Sequence, residues 1–134
     1  MSKIERFEDL EIWQLAWEIC QDIYTLIETT NLGKNFALRD QMDKCSGSVM
    51  DNIAEGFERN GNREFIQFLS IAKASCGELR SQLYRTLDRN HIDRATFEIQ
   101  MEKVLLESRK ISSFMSYLSK SGYKGSKFHE RGKT

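Results

Sequence analysis

The sequence predicts an all-α protein, an up-and-down antiparallel four-helix bundle, on three observations. No proline occurs in 134 residues, and proline is the residue that most strongly breaks a helix interior. Apolar residues recur at spacings of three and four along four separate stretches, which is the period of one helix face. The links between those stretches are a few residues long, which forces successive helices to run antiparallel. With 40% hydrophobic and 30% charged residues, the chain is long enough for one buried core and too short for two.

A lead-in over residues 1–8 precedes the first helix, expected over about 9–30. Leu10, Trp13, Trp17, Cys20, Tyr24 and Ile27 form its stripe and are expected to face the core. Beside them lie Ile12, Ala16, Ile19, Ile23 and Leu26, widening the apolar arc to about 200°, roughly twice what a core-facing helix needs. A large apolar side chain contributes about 1.5–3 kcal/mol when fully buried. Ile12, Ile19, Ile23 and Leu26 are therefore expected to be covered by a second copy of the chain in a homo-oligomer.

Gly33 is expected to stop the first helix. The second, over about 36–59, carries Leu38, Met42, Cys45, Val49, Ile53 and Phe57. The third, over about 62–89, starts from Asn62 as N-cap and carries Phe65, Phe68, Leu69, Ala72, Cys76, Leu79, Leu83 and Leu87. The fourth, over about 93–121, is capped by Asp93 or Thr96 and carries Phe97, Met101, Val104, Ile111, Met115 and Leu118. Ile99, Leu106 and Phe114 fall off its main stripe, and a basic tail over 122–134 follows.

On the second helix Gln41, Ser48, Asn52, Glu55 and Arg59 form a polar line beside the apolar stripe, and Glu64, Ser75, Glu78 and Gln82 do so on the third. In an antiparallel hairpin the two lines zip together, with Arg59 expected against Glu64, Ser48 against Ser75 and Gln41 against Gln82. The seam reads as a register device, because half-buried polar groups are costly unless paired; a polar groove for a ligand or partner is the functional alternative. Gly56 lies on the apolar face and Gly47 and Gly77 lie within helices, where glycine costs about 1 kcal/mol relative to alanine and signals close backbone approach.

Twenty basic residues balance twenty acidic ones, but unevenly. Residues 1–30 hold two bases against seven acids, and residues 91–134 hold nine bases against five acids. Cys20, Cys45 and Cys76 form no close-spaced pair and read as reduced core thiols. No apolar run approaches the roughly 18–20 residues that span a bilayer, and the acidic N-terminus is unlike a signal peptide, so a cytoplasmic protein without membrane contact is expected.

Catalysis is not expected. A carboxylate-bridged di-metal bundle needs inward Glu-x-x-His pairs, whereas the histidines are His91, in the link before the fourth helix, and His129, in the tail. No phosphate-binding glycine loop and no zinc-spaced Cys/His set occurs. No metal, cofactor or small-molecule substrate is therefore expected.

The segments FEDLEIWQLAWEI, LRDQM, NIAEGFER, EFIQFLSIAKAS and ELRSQLY, over roughly residues 7–118, resemble the bacterial four-helix bundle family also called 23S ribosomal RNA intervening-sequence proteins. The resemblance implies an up-and-down bundle that assembles as a ring of five, from genes sometimes found inside ribosomal RNA inserts, with no known catalytic activity. Asp43 and Lys44 stand where the family typically has two basic residues, which weakens any grip of that face on RNA. A basic five-fold bundle that serves a retroelement reverse transcriptase is similar in shape, an analogy of fold alone.

Nucleic acid is the sharper partner expectation. Lys120, Lys124, Lys127, Arg131 and Lys133 are interleaved with Tyr123 and Phe128, a composition suited to phosphates and base stacking. Against it, residues 36–89 are balanced at eight bases and eight acids. The alternative is a protein-interaction scaffold or accessory subunit that does not touch nucleic acid.

Overall fold

The computed structural model describes residues 4–121. Four helices make the architecture: α1 (Glu11–Thr29), α2 (Phe36–Glu58), α3 (Asn62–Asp88) and α4 (Arg94–Ser121), with short 3-10 turns at Phe7–Asp9 and Asn31–Lys34. Each helix packs on its sequence neighbour and α1 closes against α4, so the four enclose one core. Ser48 opposite Ser75 fixes α2 against α3, and ring contacts of Phe65 with Phe114 and of Tyr84 with Phe97 fix α3 against α4. In both pairs residue numbers rise on one helix as they fall on the other, which is antiparallel packing. Among the described residues no helix is long and apolar enough to cross a membrane.

Local chemistry sets the ends. The Asn35 side chain accepts from the Leu38 N–H at 3.3 Å and opens α2. Asp93 accepts from the Thr96 N–H at 2.8 Å and opens α4. Asn62 does not cap α3 as expected; Gly61 holds the cap position, and the Asn62 amide instead donates to the Leu118 carbonyl at 2.7 Å. Between α2 and α3 the chain reverses at Asn60, whose φ of 63° lies in the left-handed region that asparagine tolerates better than most residues. Gly33 is not the stop of α1, which ends at Thr29; it lies in the following turn, where a Cβ would run into the Ile27 carbonyl oxygen.

The two faces of α1 are the reverse of the sequence expectation. Ile12, Ile19, Ile23 and Leu26, expected at a contact between copies, line the core together with Ala16, while Trp17 and Tyr24 are 51% and 59% exposed. The physical reason is an ion-pair line. Glu11, Glu18 and Asp22 share one side of α1 and meet the lysines of α4: Lys110 to Glu11 at 3.2 Å, and Lys103 to Glu18 and to Asp22 at 2.7 Å each. That line fixes the rotation of α1 with its aliphatic stripe inward. Isoleucine has no polar atom to satisfy in a core, whereas Trp and Tyr each carry a donor that favours the water-facing side.

Candidate functional site

The polar lines of α2 and α3 face each other across an open groove of about 460 Å³, lined by Gln41, Lys44, Cys45, Ser48, Ser75, Glu78, Ser81, Gln82 and Arg85. Its centre is a hydroxyl pair: Ser75 donates to Ser48 at 2.8 Å, and the Asn52 amide donates to the Ser48 hydroxyl at 3.0 Å and to its carbonyl at 2.9 Å. Toward the start of α2 the Gln82 amide donates to the Cys45 sulfur at 3.2 Å, and Arg85 donates to Gln41 at 2.8 Å. Gln82 is only 6% exposed, and its carbonyl oxygen is buried with no hydrogen-bond partner.

Two expected pairings are therefore different. Gln41 meets Arg85, and Gln82 meets Cys45. Arg59 does not reach across to Glu64 either. It pairs with Glu55 on its own helix at 3.0 Å, with the guanidinium 5.0 Å from the Phe68 ring centre, while Glu64 is exposed in the first turn of α3. The reason is helix geometry: Glu55 is one turn away on a helix already formed, whereas Glu64 lies beyond a reversal that turns its side chain to solvent.

The glycines separate by what surrounds them. At Gly56 an added Cβ would stand 2.8 Å from both the Phe65 ring and the Phe68 Cβ, so glycine is what lets α3 approach α2 there. At Gly47 and Gly77 a Cβ would meet nothing within 4 Å, and the close approach expected at those positions is absent.

Burial raises all three thiols above the ordinary cysteine value, Cys76 up to about 12, so the neutral thiol predominates at each near neutral pH. Among the described residues no three His, Cys, Asp or Glu side chains converge to hold a metal ion. His91 places its Nε2 3.2 Å from the Asn35 amide, tying the α3–α4 link to the start of α2. Of the residues expected to bind nucleic acid, Lys120 is exposed at the end of α4; Tyr123, Lys124, Lys127, Phe128, Arg131 and Lys133 lie outside the described residues.

One group stands out that the sequence reading did not single out. Glu107 is 0% exposed, and neither carboxylate oxygen has a hydrogen-bond partner. Burial pushes it up to about 9, against a small opposing pull from Lys110. Its signal was legible: position 107 falls between Val104 and Ile111 on the stripe that faces the core.

Comparison with known proteins follows the same lines. The family described as 23S rRNA-intervening sequence protein matches residues 8–113. A crystal structure of a protein of unknown function from the S23 ribosomal protein family of Bacteroides thetaiotaomicron superposes with a TM-score of 0.72 at 21% identity, over 78% of this chain and 97% of that one; at that identity it speaks to the fold alone. No curated protein matches the chain. With more than half of its length matched by the family, the chain belongs to the 23S rRNA-intervening sequence protein family.

Proposed function

We propose that the protein is a non-catalytic homo-oligomer, a ring of five copies, that associates with RNA in the cytoplasm. The observation that carries the assembly is an aromatic row along α1: Phe7, in the turn before the helix, Trp13 and Trp17 follow one another at ring-centre separations of 5.2 and 5.4 Å, and Tyr24 continues the row, with Trp17 and Tyr24 facing outward. Phe7 and Trp13 are partly buried against the core, whereas Trp17 and Tyr24 are more than half exposed, beyond what inward packing explains. A second apolar patch, Ile99 and Leu106 on α4, lies on a different helix. A ring needs two distinct contact surfaces on each copy, and these two need not meet each other.

RNA is supported by two facts. The family is named for the intervening sequence of 23S rRNA, and the stretch from Lys120 to Lys133 carries five bases against one acid, with Tyr123 and Phe128 between them. Mass in solution read together with the absorbance ratio of the purified protein tests both: five chains with co-purified nucleic acid is the expected result. Affinity for an RNA fragment should fall steeply between low and physiological salt and vanish when residues 123–134 are deleted. Indifference to salt and to the deletion ends the RNA reading.

The balanced charge of residues 36–89 favours a second reading, a protein-interaction scaffold that does not contact nucleic acid. Pull-down of a protein partner that survives nuclease treatment, from a preparation free of RNA, selects it.

A further inference from the structure

Between α1 and α4, beside the ion pair of Lys103 with Glu18, runs a groove of about 630 Å³. Leu15, Ala95, Ile99 and Leu106 form its apolar surface, with Ile99 61% and Leu106 45% exposed, and Glu18, Glu98 and Glu102 stand around it. The cation among these lining residues is Lys103, which is already committed to Glu18 and Asp22 at 2.7 Å each. An apolar trough with an acidic rim selects a basic segment with aromatic anchors.

We propose that this groove receives the segment Lys120–Lys133 of a second copy of the chain. The proposal rests on the self-association argued above, and a docked segment competes with RNA for the same bases and aromatic rings. The complementarity is of both kinds: Tyr123 and Phe128 suit the apolar surface, and the bases Lys124, Lys127 and Arg131 suit the acidic rim. On that rim Glu102 makes no ion pair among the described residues, Glu98 makes a long exposed one to Arg94 at 3.8 Å, and Glu18 shares Lys103 with Asp22. Other occupants fit worse. The acidic rim repels the phosphates of a nucleic acid or an anionic membrane. The outward row of α1 belongs to a helix with four acids, Glu11, Glu18, Asp22 and Glu28, and no base, so its approach would set acid against acid.

Geometry favours the neighbour's segment over the chain's own. Ser121 ends α4, and at the helical rise Leu106 lies about 22 Å back along the axis and Ile99 about 33 Å. Phe128 is seven residues beyond Ser121, a reach of about 24 Å fully extended. Any turn that sent the chain back along α4 would consume two or three of those residues, leaving both aromatic anchors short of their own groove. A second copy has no such restriction.

The test uses the full chain with the photoreactive benzoylphenylalanine in place of Phe128, refolded together with an isotopically heavy full chain that has Phe128 intact. Cross-links from light position 128 to heavy residues 95–106 or to the Leu15–Glu18 turn are expected. An acceptor carrying Glu98→Lys and Glu102→Lys should lower their yield about five-fold at low ionic strength, where exposed charges are least screened. Links confined to light–light pairs, links that map elsewhere, or a yield indifferent to the reversed charges overturn the proposal. Light scattering on the same sample separates the two ideas: a multi-chain mass without light–heavy links sinks the docking alone, and a single-chain mass sinks docking and self-association together.

Discussion

Glu107 is the residue whose chemistry departs furthest from the ordinary. It is fully buried with both oxygens unpartnered, beside Cys76 of α3 and with Lys110 one turn on along α4, and burial raises its pKa from 4.5 to about 9. The folded state therefore holds the proton over a range in which the unfolded chain has lost it. Because the folded state binds more protons, stability is at its fullest below about pH 4.5 and declines as pH rises toward about 9. At pH 7 the displacement corresponds to about 3 kcal/mol, at 1.36 kcal/mol per pKa unit. Glu107→Gln keeps the shape and removes the titration. Its urea midpoint should exceed that of the parent chain at pH 8, and the gap should narrow toward pH 5. A parent and a variant whose midpoints move in parallel from pH 5 to pH 9 would show that the carboxyl finds a partner and ionises in place.

At the scale of helices, the three interior glycines make a sharper test than any one alone. Gly56→Ala forces a methyl against the Phe65 ring and the Phe68 Cβ, and overpacking of this kind costs about 1–3 kcal/mol. Gly47→Ala and Gly77→Ala add a methyl in open space and should each stabilise by roughly 1 kcal/mol, the difference in helix propensity. Thermal melts therefore separate in sign, downward for the first and upward for the other two; three shifts of one sign would refute the packing argument. All three looked alike in the sequence, because a lone glycine in a helix carries no record of what stands opposite. The four helices themselves were legible to within two residues at each end, since a period of three and four needs only the chain. The rotation of α1 was not. With apolar side chains over about 200° of arc its periodicity has no unique phase, and the deciding information was the Lys103 and Lys110 pairing from a helix some 80 to 100 residues away in sequence. In the same way Ser48 against Ser75 followed from hairpin register, while Arg59 pairing with Glu55 depended on the reversal at Asn60.

For the molecule as a whole, part of the uneven charge of the sequence is used inside the fold. Acids of α1 pair with lysines of α4, and Lys103 shows how firmly: burial pulls its ammonium down, yet the hydrogen bonds to Asp22 and Glu18 outweigh that and hold it above the ordinary lysine value. Opposite charges on the first and last helices thus help to close one bundle, and an exposed apolar surface on α1 remains outside it. Trp17 and Tyr24 leave about half of each ring in water. A buried aromatic covers about 150–250 Å², so covering that half on each ring removes about 100 Å², or roughly 2.5 kcal/mol per ring. Two such rings supply about 5 kcal/mol at every contact, a large share of the roughly 8 kcal/mol that micromolar association needs, and the rest of the buried contact must supply the remainder and the association cost. The double substitution Trp17→Ser with Tyr24→Ser should therefore shift the mass in solution toward that of one chain and make the remaining assembly dissociate on dilution. Helical circular dichroism should stay unchanged, because the inward face of Ile12, Ile19 and Ile23 is untouched. Wild-type protein that has the mass of a single chain at tens of micromolar, or a double variant with an unaltered mass, would remove the outward row of α1 as the contact between copies.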